Sequence, residues 1–306
     1  MTSRWSRMLF YLFLAFQLSP WSHPVLALLM GLVIALAGAA KALPRHQYWV
    51  NLILKSSVVG LGFGISMREA LETGQSSFLW TSVSIVLTLL LGFLLGKGLK
   101  IEWRSRFLLS SGTAICGGSA IAALAPLIKA KEQDITMALG TVFLLNALAL
   151  ILFPPLGSWL GMSQREFGIW AAIAIHDTSS VIGAAAAYGE EALEIATTVK
   201  LVRALWIVPL TLIAALWLRK RGKIKVPWFI LGFVLAILAG EWAPWPATIN
   251  LSLVALAKKG LIISLFLIGN AMNLRQIKEA GPRAFLLGGS LWLLVSLGSW
   301  WVITSF

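Results

Sequence analysis

Charge is scarce in this chain: 12% of its 306 residues are Asp, Glu, Lys or Arg, against 58% hydrophobic. That balance excludes a soluble domain of this length, where about a quarter of residues are charged. A single cysteine, Cys116, excludes an intramolecular disulfide, and its place inside an apolar run removes any reading of redox compartment. The three histidines, His23, His46 and His176, lack metal-ligand spacing, so neither a metal nor a cofactor is expected. Phosphate-loop context is missing too. Gly60-Leu61-Gly62-Phe63-Gly64 does not join a strand to a helix, which argues against ATP-driven pumping by this chain. Acidic residues are the scarcer sign, 12 against 25 basic, for a net charge of +13. The bases sit in short loops between apolar runs, so the excess reports membrane orientation and no nucleic-acid partner is expected.

What is abundant is membrane-length apolar sequence. A window of about 19–20 residues finds about 11 spans. They lie near residues 7–20, 23–40, 48–67, 77–97, 106–128, 134–160, 167–188, 191–218, 226–241, 247–270 and 283–305. The expected fold is an all-α polytopic membrane protein, one integral domain over 1–306 with the lipid bilayer as its surroundings. The first span follows Arg4 and Arg7 like a signal peptide, but Pro20-Trp21-Ser22-His23-Pro24 is a poor cleavage site, and a retained helix is expected. Lys97, Lys100, Arg104 and Arg106 mark one cytoplasmic loop, and Arg219, Lys220, Arg221, Lys223 and Lys225 another. Glu69 to Glu72 and Glu190 to Glu194 fall outside. The alternation gives a cytoplasmic N-terminus and an external C-terminus. Lys129-Ala130-Lys131-Glu132 lands outside in this count despite two lysines, which a re-entrant or tilted fifth segment would explain.

A faint repeat divides the chain into halves of approximately 23–160 and 167–305. Pro24 to Gly38 resembles Pro227 to Gly240, with Pro44 and Pro246 following each. Lys55 to Gly64 with Met67 and Arg68 echoes Lys259 to Gly269 with Met272 and Arg275. The copies are separated by an odd number of spans, so they would lie in the membrane with opposite orientation, a secondary-transporter architecture.

Two polar interruptions carry the functional reading, because ionisable groups and broken helix are tolerated at bilayer depth only where protein or water satisfies them. In the fifth segment, Ser110-Ser111-Gly112-Thr113 and Cys116-Gly117-Gly118-Ser119 surround a glycine pair that breaks the helix. Ser119 is expected to cap a new half-helix whose free N–H groups favour an anion. The alternative is a small-residue packing face. In the seventh segment, His176 and Asp177 stand at mid-depth, followed by Thr178, Ser179 and Ser180, with Asp177 or Thr178 as cap. In the eighth, Lys200 and Arg203 share one helix face; they either neutralise an anionic substrate or hold Asp177 as a buried pair. Lys55, Lys258 and Lys259 sit in the repeated spans, lining the same cavity or forming salt bridges.

Three blocks in order resemble the signature of the YeiH-type bacterial inner-membrane family: Gly112 to Ala123 with Ile128 to Glu132, Phe167 to Trp170 with Ile175-His176-Asp177, and Ala196 to Arg203. That family carries Glu where this chain has Asp177. The family is described as sulfate exporters. More distantly, the glycine-rich fifth segment looks like the crossing helix of bile-acid-sodium symporters and NhaA-type antiporters. That resemblance implies a core of crossed, broken helices and a panel supporting dimer contacts, hence a homodimer.

The reading that results is a secondary active transporter, not an enzyme, in a bacterial inner membrane. Its substrate is a small anion, sulfate or a related sulfur oxyanion. Thr113, Gly117, Gly118, Ser119, Thr178, Ser179, Lys200 and Arg203 are the expected substrate-binding residues, and His176 and Asp177 couple transport to protons. Sodium is the alternative coupling ion, and an intramembrane enzyme built on Cys116 and His176, or a passive channel, are the competing classes. The orientation is testable in a Cys116→Ser background with single cysteines in loops. A cysteine beside Arg221 should react only from the cytoplasmic side and one beside Glu191 only from outside; the opposite pattern at both positions overturns the topology.

Overall fold

The computed structural model describes residues 4–39, 45–217, 228–244, 246–271 and 281–305. The basic run Arg219 to Lys225, and Pro44, Pro227, Trp245, Met272 and Arg275, lie outside the described residues. The described chain is almost wholly helical, as long apolar runs in lipid require, since a helix satisfies its own backbone. Among the described residues, five helices are long and apolar enough to cross a bilayer: Met67–Gly98, Glu132–Trp159, Glu190–Trp217, Ala247–Ala271 and Pro282–Ser305. Leu79, Leu90 and Leu94 on the first of these are exposed, as lipid-facing residues are.

The chain divides into two units, each formed from separated stretches of sequence. The first contains α1 (Arg4–Phe16), α2 (Pro24–Ile34) with a π-turn over Ala35–Ala39, and α3 (His46–Leu61) with a 3-10 turn over Gly62–Gly64. To these it adds the start of α4 (Met67–Gly98), and, from later in the chain, α12 (Trp228–Trp242) and α13 (Ala247–Ala271). Its helices meet at glycines: a methyl group on Gly31 of α2 would collide with the Phe266 carbonyl of α13, and one on Gly269 with the Leu28 carbonyl. A methyl group on Gly62 would likewise lie 2.7 Å from the Phe233 carbonyl oxygen of α12. Small residues at crossings let backbones approach where hydrophobicity gives no drive between helices. Lys259 donates to the Ser19 carbonyl at 2.5 Å and to the Ser22 hydroxyl at 3.0 Å, and Lys55 lies over the Phe229 ring at 5.7 Å.

The second unit holds most of α4 and then α5 (Trp103–Ala114), α6 (Gly118–Leu124), α7 (Glu132–Trp159) and α8 (Gln164–Ala174). It continues through α10 (Glu190–Leu205) and α11 (Ile207–Trp217) to α14 (Pro282–Ser305). The helix α9 (Thr178–Tyr188) contributes its two ends to this unit.

Neither polar interruption lies in a helix that crosses. The arm α5 is 12 residues long and α8 is 11, so each reaches about 16–18 Å, roughly half the hydrocarbon core. After its break, each segment turns back. At the base of the first, Arg104 Nε donates to the Ile128 carbonyl at 3.1 Å, and along the arms a methyl on Gly112 would lie 2.9 Å from Ile121 Cδ1. At the base of the second, the Tyr188 hydroxyl donates to the Met162 carbonyl at 2.5 Å and its ring stacks on Phe167 at 3.8 Å between centroids. Gln164 Oε1 there accepts from the Glu191 and Ala192 amides at 3.1 and 3.4 Å.

The helix α7 shows that these two hairpins enter from opposite ends. Asp134, in its first turn, accepts from the Ser105 hydroxyl at the base of the first hairpin, and from the Lys131 amide at 2.9 Å. Gly157, in its last turn, packs against Phe167 and Tyr188 at the base of the second. The whole of α7, 28 residues, spans about 42 Å, more than the hydrocarbon thickness.

Re-entrance corrects the expected path of the seventh segment, and for the fifth it is the alternative that Lys129 and Lys131 had suggested. Lys129 and Lys131 return to the end that carries Lys97, Lys100, Arg104 and Arg106. The other end carries Arg165 with Glu166, Glu190, Glu191 and Glu194. There Glu166 closes a capping box with Ser163, whose hydroxyl and amide hold the Glu166 carboxyl below the usual carboxylate range. The hairpins predict a labelling pattern that two crossings do not. In a Cys116→Ser background, Lys100→Cys and Ala130→Cys should react from one face of the membrane, and Arg165→Cys and Glu191→Cys from the other. Reaction of positions 100 and 130 from opposite faces would show the fifth segment to cross.

Candidate functional site

The tips of the two hairpins meet. Gly117 has φ +61°, which glycine adopts freely, and a methyl group there would lie 3.2 Å from both Asp177 Cβ and Val142 Cγ1. Backbone conformation and close approach therefore both call for glycine at this position. The break runs from Ile115 to Gly117, with the Gly117 amide donating to the Gly112 carbonyl at 2.8 Å. Gly117 is the N-cap of α6, and no side chain caps it. Ser119, the expected cap, instead lies inside α6 and is exposed, because the helix begins two residues earlier than a serine cap requires. Gly118 is half-buried beside it.

The second tip follows the expected chemistry more closely. Ile175 is extended, with φ −86° and ψ 128°, and α9 starts at Thr178. Asp177 caps α9: its Oδ2 accepts from the Ser179 amide at 3.1 Å and from the Ser179 hydroxyl. Thr178 and Asp177 are half-buried, whereas Ser179 and Ser180 are buried. His176 is fully buried, and neither of its ring nitrogens has a hydrogen-bond partner among the described residues. The imidazole and the carboxylate therefore stand next to each other in sequence without bonding.

Lys200 and Arg203 are fully buried on α10, which runs beside α8. Their donors go to the carboxyl ends of the broken arms. Lys200 Nζ donates to the Ile175 carbonyl at 2.7 Å and the Ala172 carbonyl at 3.2 Å. Arg203 Nη1 donates to the Ile173 carbonyl at 2.8 Å, and its Nε to the Ala114 carbonyl at 2.6 Å. A helix that stops inside a membrane leaves its last carbonyls unsatisfied and the negative end of its dipole exposed; two cations answer both demands. One guanidinium thus bonds the end of α5 and the end of α8 together. No ion pair joins Asp177 to either cation.

A residue absent from the sequence reading completes the site. Asn146 lies fourteen residues after Glu132 and thirteen before Trp159, at the middle of α7. Its Oδ1 accepts from the His176 amide at 3.0 Å and the Asp177 amide at 3.2 Å, holding the second tip against α7. The signal was there to find: Asn146 is the lone polar side chain between Val142 and Phe153.

Several polar atoms around the tips have no partner among the described residues although they are buried: Thr113 Oγ1, Ser111 Oγ, Asn146 Nδ2, Arg203 Nη2 and both His176 nitrogens. Buried polar groups are ordinarily paired, so a concentration of unpaired ones marks a place that takes polar company. Cys116, at the first tip, is a buried free thiol.

The sequence relatives agree with a membrane protein of this kind. A family profile described as Conserved hypothetical protein 698 matches residues 9–288. A UPF0324 membrane protein of Porphyromonas gingivalis is 49% identical over 285 residues, covering 91% of this chain and 86% of the relative. The chain belongs to the UPF0324 membrane protein family. Members from Bacteroides thetaiotaomicron and Vibrio vulnificus are 44% and 45% identical, covering 96% and 94% of this chain and 92% and 95% of their own lengths. No solved structure matches. The YeiH-type resemblance read from the three blocks is this family.

Breaking the guanidinium clasp strands two buried carbonyls. Arg203→Gln is expected to lose about 2–4 kcal/mol of stability in detergent, read as a lower melting temperature. Adding Asp177→Asn should not restore it, and recovery in the double variant would show that Arg203 and Asp177 are partners.

Proposed function

We propose that this protein is a secondary active transporter of a small anion, with the meeting point of the two hairpin tips as its site. The observation that carries the reading is the arrangement at mid-span: two broken helices entering from opposite ends, unpaired buried donors around their tips, and two cations against one carboxylate. Two basic side chains, Lys200 and Arg203, stand behind the tips against one acidic one, Asp177, and little water is present at that depth to screen them. Broken helices near the midplane are how many secondary transporters build substrate sites. Sulfate or a related sulfur oxyanion is the substrate that the YeiH-type resemblance implies.

The coupling ion in this reading is the proton, handled by His176 and Asp177. The placement of Lys200 and Arg203 argues against sodium at the break-point carbonyls: the carbonyls of Ala114, Ala172, Ile173 and Ile175 already accept from a cation that would repel a second one. The topology is a cytoplasmic N-terminus and an external C-terminus in a bacterial inner membrane. Nine crossings and two hairpins account for about 11 segments and place the lysine- and arginine-rich loops on one side. An inverted repeat belongs to the same reading. In it α2 and α3 correspond to α12 and α13, and the hairpin α5–α6 with α7 corresponds to α8–α9 with α10, as in the NhaA and bile-acid-symporter architecture.

Flux in proteoliposomes tests both parts. Uptake of labelled sulfate should follow an imposed pH gradient, and Asp177→Asn should uncouple flux from that gradient while leaving binding detectable. Flux that ignores pH but follows sodium eliminates proton coupling, and flux that needs no gradient at all in either direction points to a channel.

A further inference from the structure

We infer that Asn146 selects the ligand: its amide nitrogen donates to an oxygen of the bound anion, while its amide oxygen holds the second hairpin tip. The inference rests on the anion reading of the site and assigns it a residue that no motif marks. The amide's orientation follows from chemistry. Two backbone N–H groups, from His176 and Asp177, converge on one side-chain atom at 3.0 and 3.2 Å, and only an oxygen can accept them. The nitrogen is therefore fixed on the opposite side of the amide, in a side chain only 3% exposed, with no partner among the described residues.

The direction of that nitrogen follows from the helix. Val142 precedes Asn146 by one turn on the same face of α7, and it packs 3.2 Å from the Cβ position of Gly117 at the first tip. One face of α7 thus meets both tips, Val142 at the first and Asn146 at the second. A buried donor left without an acceptor is unfavourable, so its persistence there calls for an acceptor. A cation would be repelled by N–H groups, whereas an oxyanion presents lone pairs to them. The same preference applies to the unpaired Arg203 Nη2. Sulfate offers acceptors in several directions, so one oxygen can meet Asn146 while others meet Arg203 or Thr113.

Substitution separates the two roles. Asn146→Asp keeps an oxygen for the two backbone amides but replaces the donor with an anionic acceptor. The variant should melt close to the wild type, while its affinity for sulfate, read as ligand-induced thermal stabilisation of the purified protein at pH 8, should fall at least about tenfold. Lowering the pH should recover part of that affinity by restoring a donor. If Asn146→Asp proves unstable, Asn146→Thr retains an oxygen acceptor and replaces the amide donors with one hydroxyl set a bond nearer α7, and a fall in the same direction is expected. A wild type that binds sulfate alongside variants that bind within about twofold of it overturns the assignment of Asn146 alone. A wild type stabilised by no anion in a panel of sulfate, thiosulfate, sulfonates and chloride overturns the anion reading itself.

Discussion

The second unit is organised around one guanidinium. Two helices, α5 and α8, stop about halfway through the bilayer, where lipid offers no partner for their final carbonyls. Arg203 donates to Ala114 at the end of one and Ile173 at the end of the other, and Lys200, one turn before it, takes Ala172 and Ile175. These bonds make a broken helix tolerable at that depth. They also fix how far each arm penetrates, which sets where the tips meet and allows Gly117 to approach Asp177. Buried cations are usually explained by a carboxylate partner; here the partners are helix ends, whose partial negative charge is spread over several carbonyls.

Much of this centre was legible in the sequence. A glycine pair, a His-Asp pair and two basic residues at depth are unusual in apolar segments, and the structure gathers all three around the hairpin tips; Asp177 was recognisable as a cap by residue type. The paths of the hairpins were not legible. A hydropathy window reports that a stretch is apolar and long, and two short arms that turn back give the same profile as one crossing. The lysines at 129 and 131 were the local evidence of return. Asn146 went unremarked because a single amide belongs to no motif, although it is the lone polar side chain in its stretch of apolar helix. Ser119 was a reasonable cap by type, but the tight turn at Gly117 starts the helix before it.

The first unit shows a different use of the same economy of side chains. Its helices approach through glycine rather than through charge, with α2 against α13 at Gly31 and Gly269, and α3 against α12 at Gly62. Those contacts fall in the stretches whose sequences resemble one another, so the apolar punctuation that suggests a repeat also serves helix packing. A glycine at a crossing and a glycine at a break look alike in sequence. Only polar neighbours, such as those flanking Gly117, tell them apart.

The return of the first hairpin also matters for how the chain enters the membrane. Arg104, Arg106, Lys129 and Lys131 end on the side from which their segment began, because Arg104 and Ile128 close its base. In the proposed topology none of these four cations has to be carried across the lipid during insertion, a passage that disfavours each by about 2.5–3.5 kcal/mol at the bilayer centre. A chain built with a crossing at this position would have to translocate two lysines before α7 could form. The hairpin lets the glycine tip reach mid-depth while the charged ends stay where they were made.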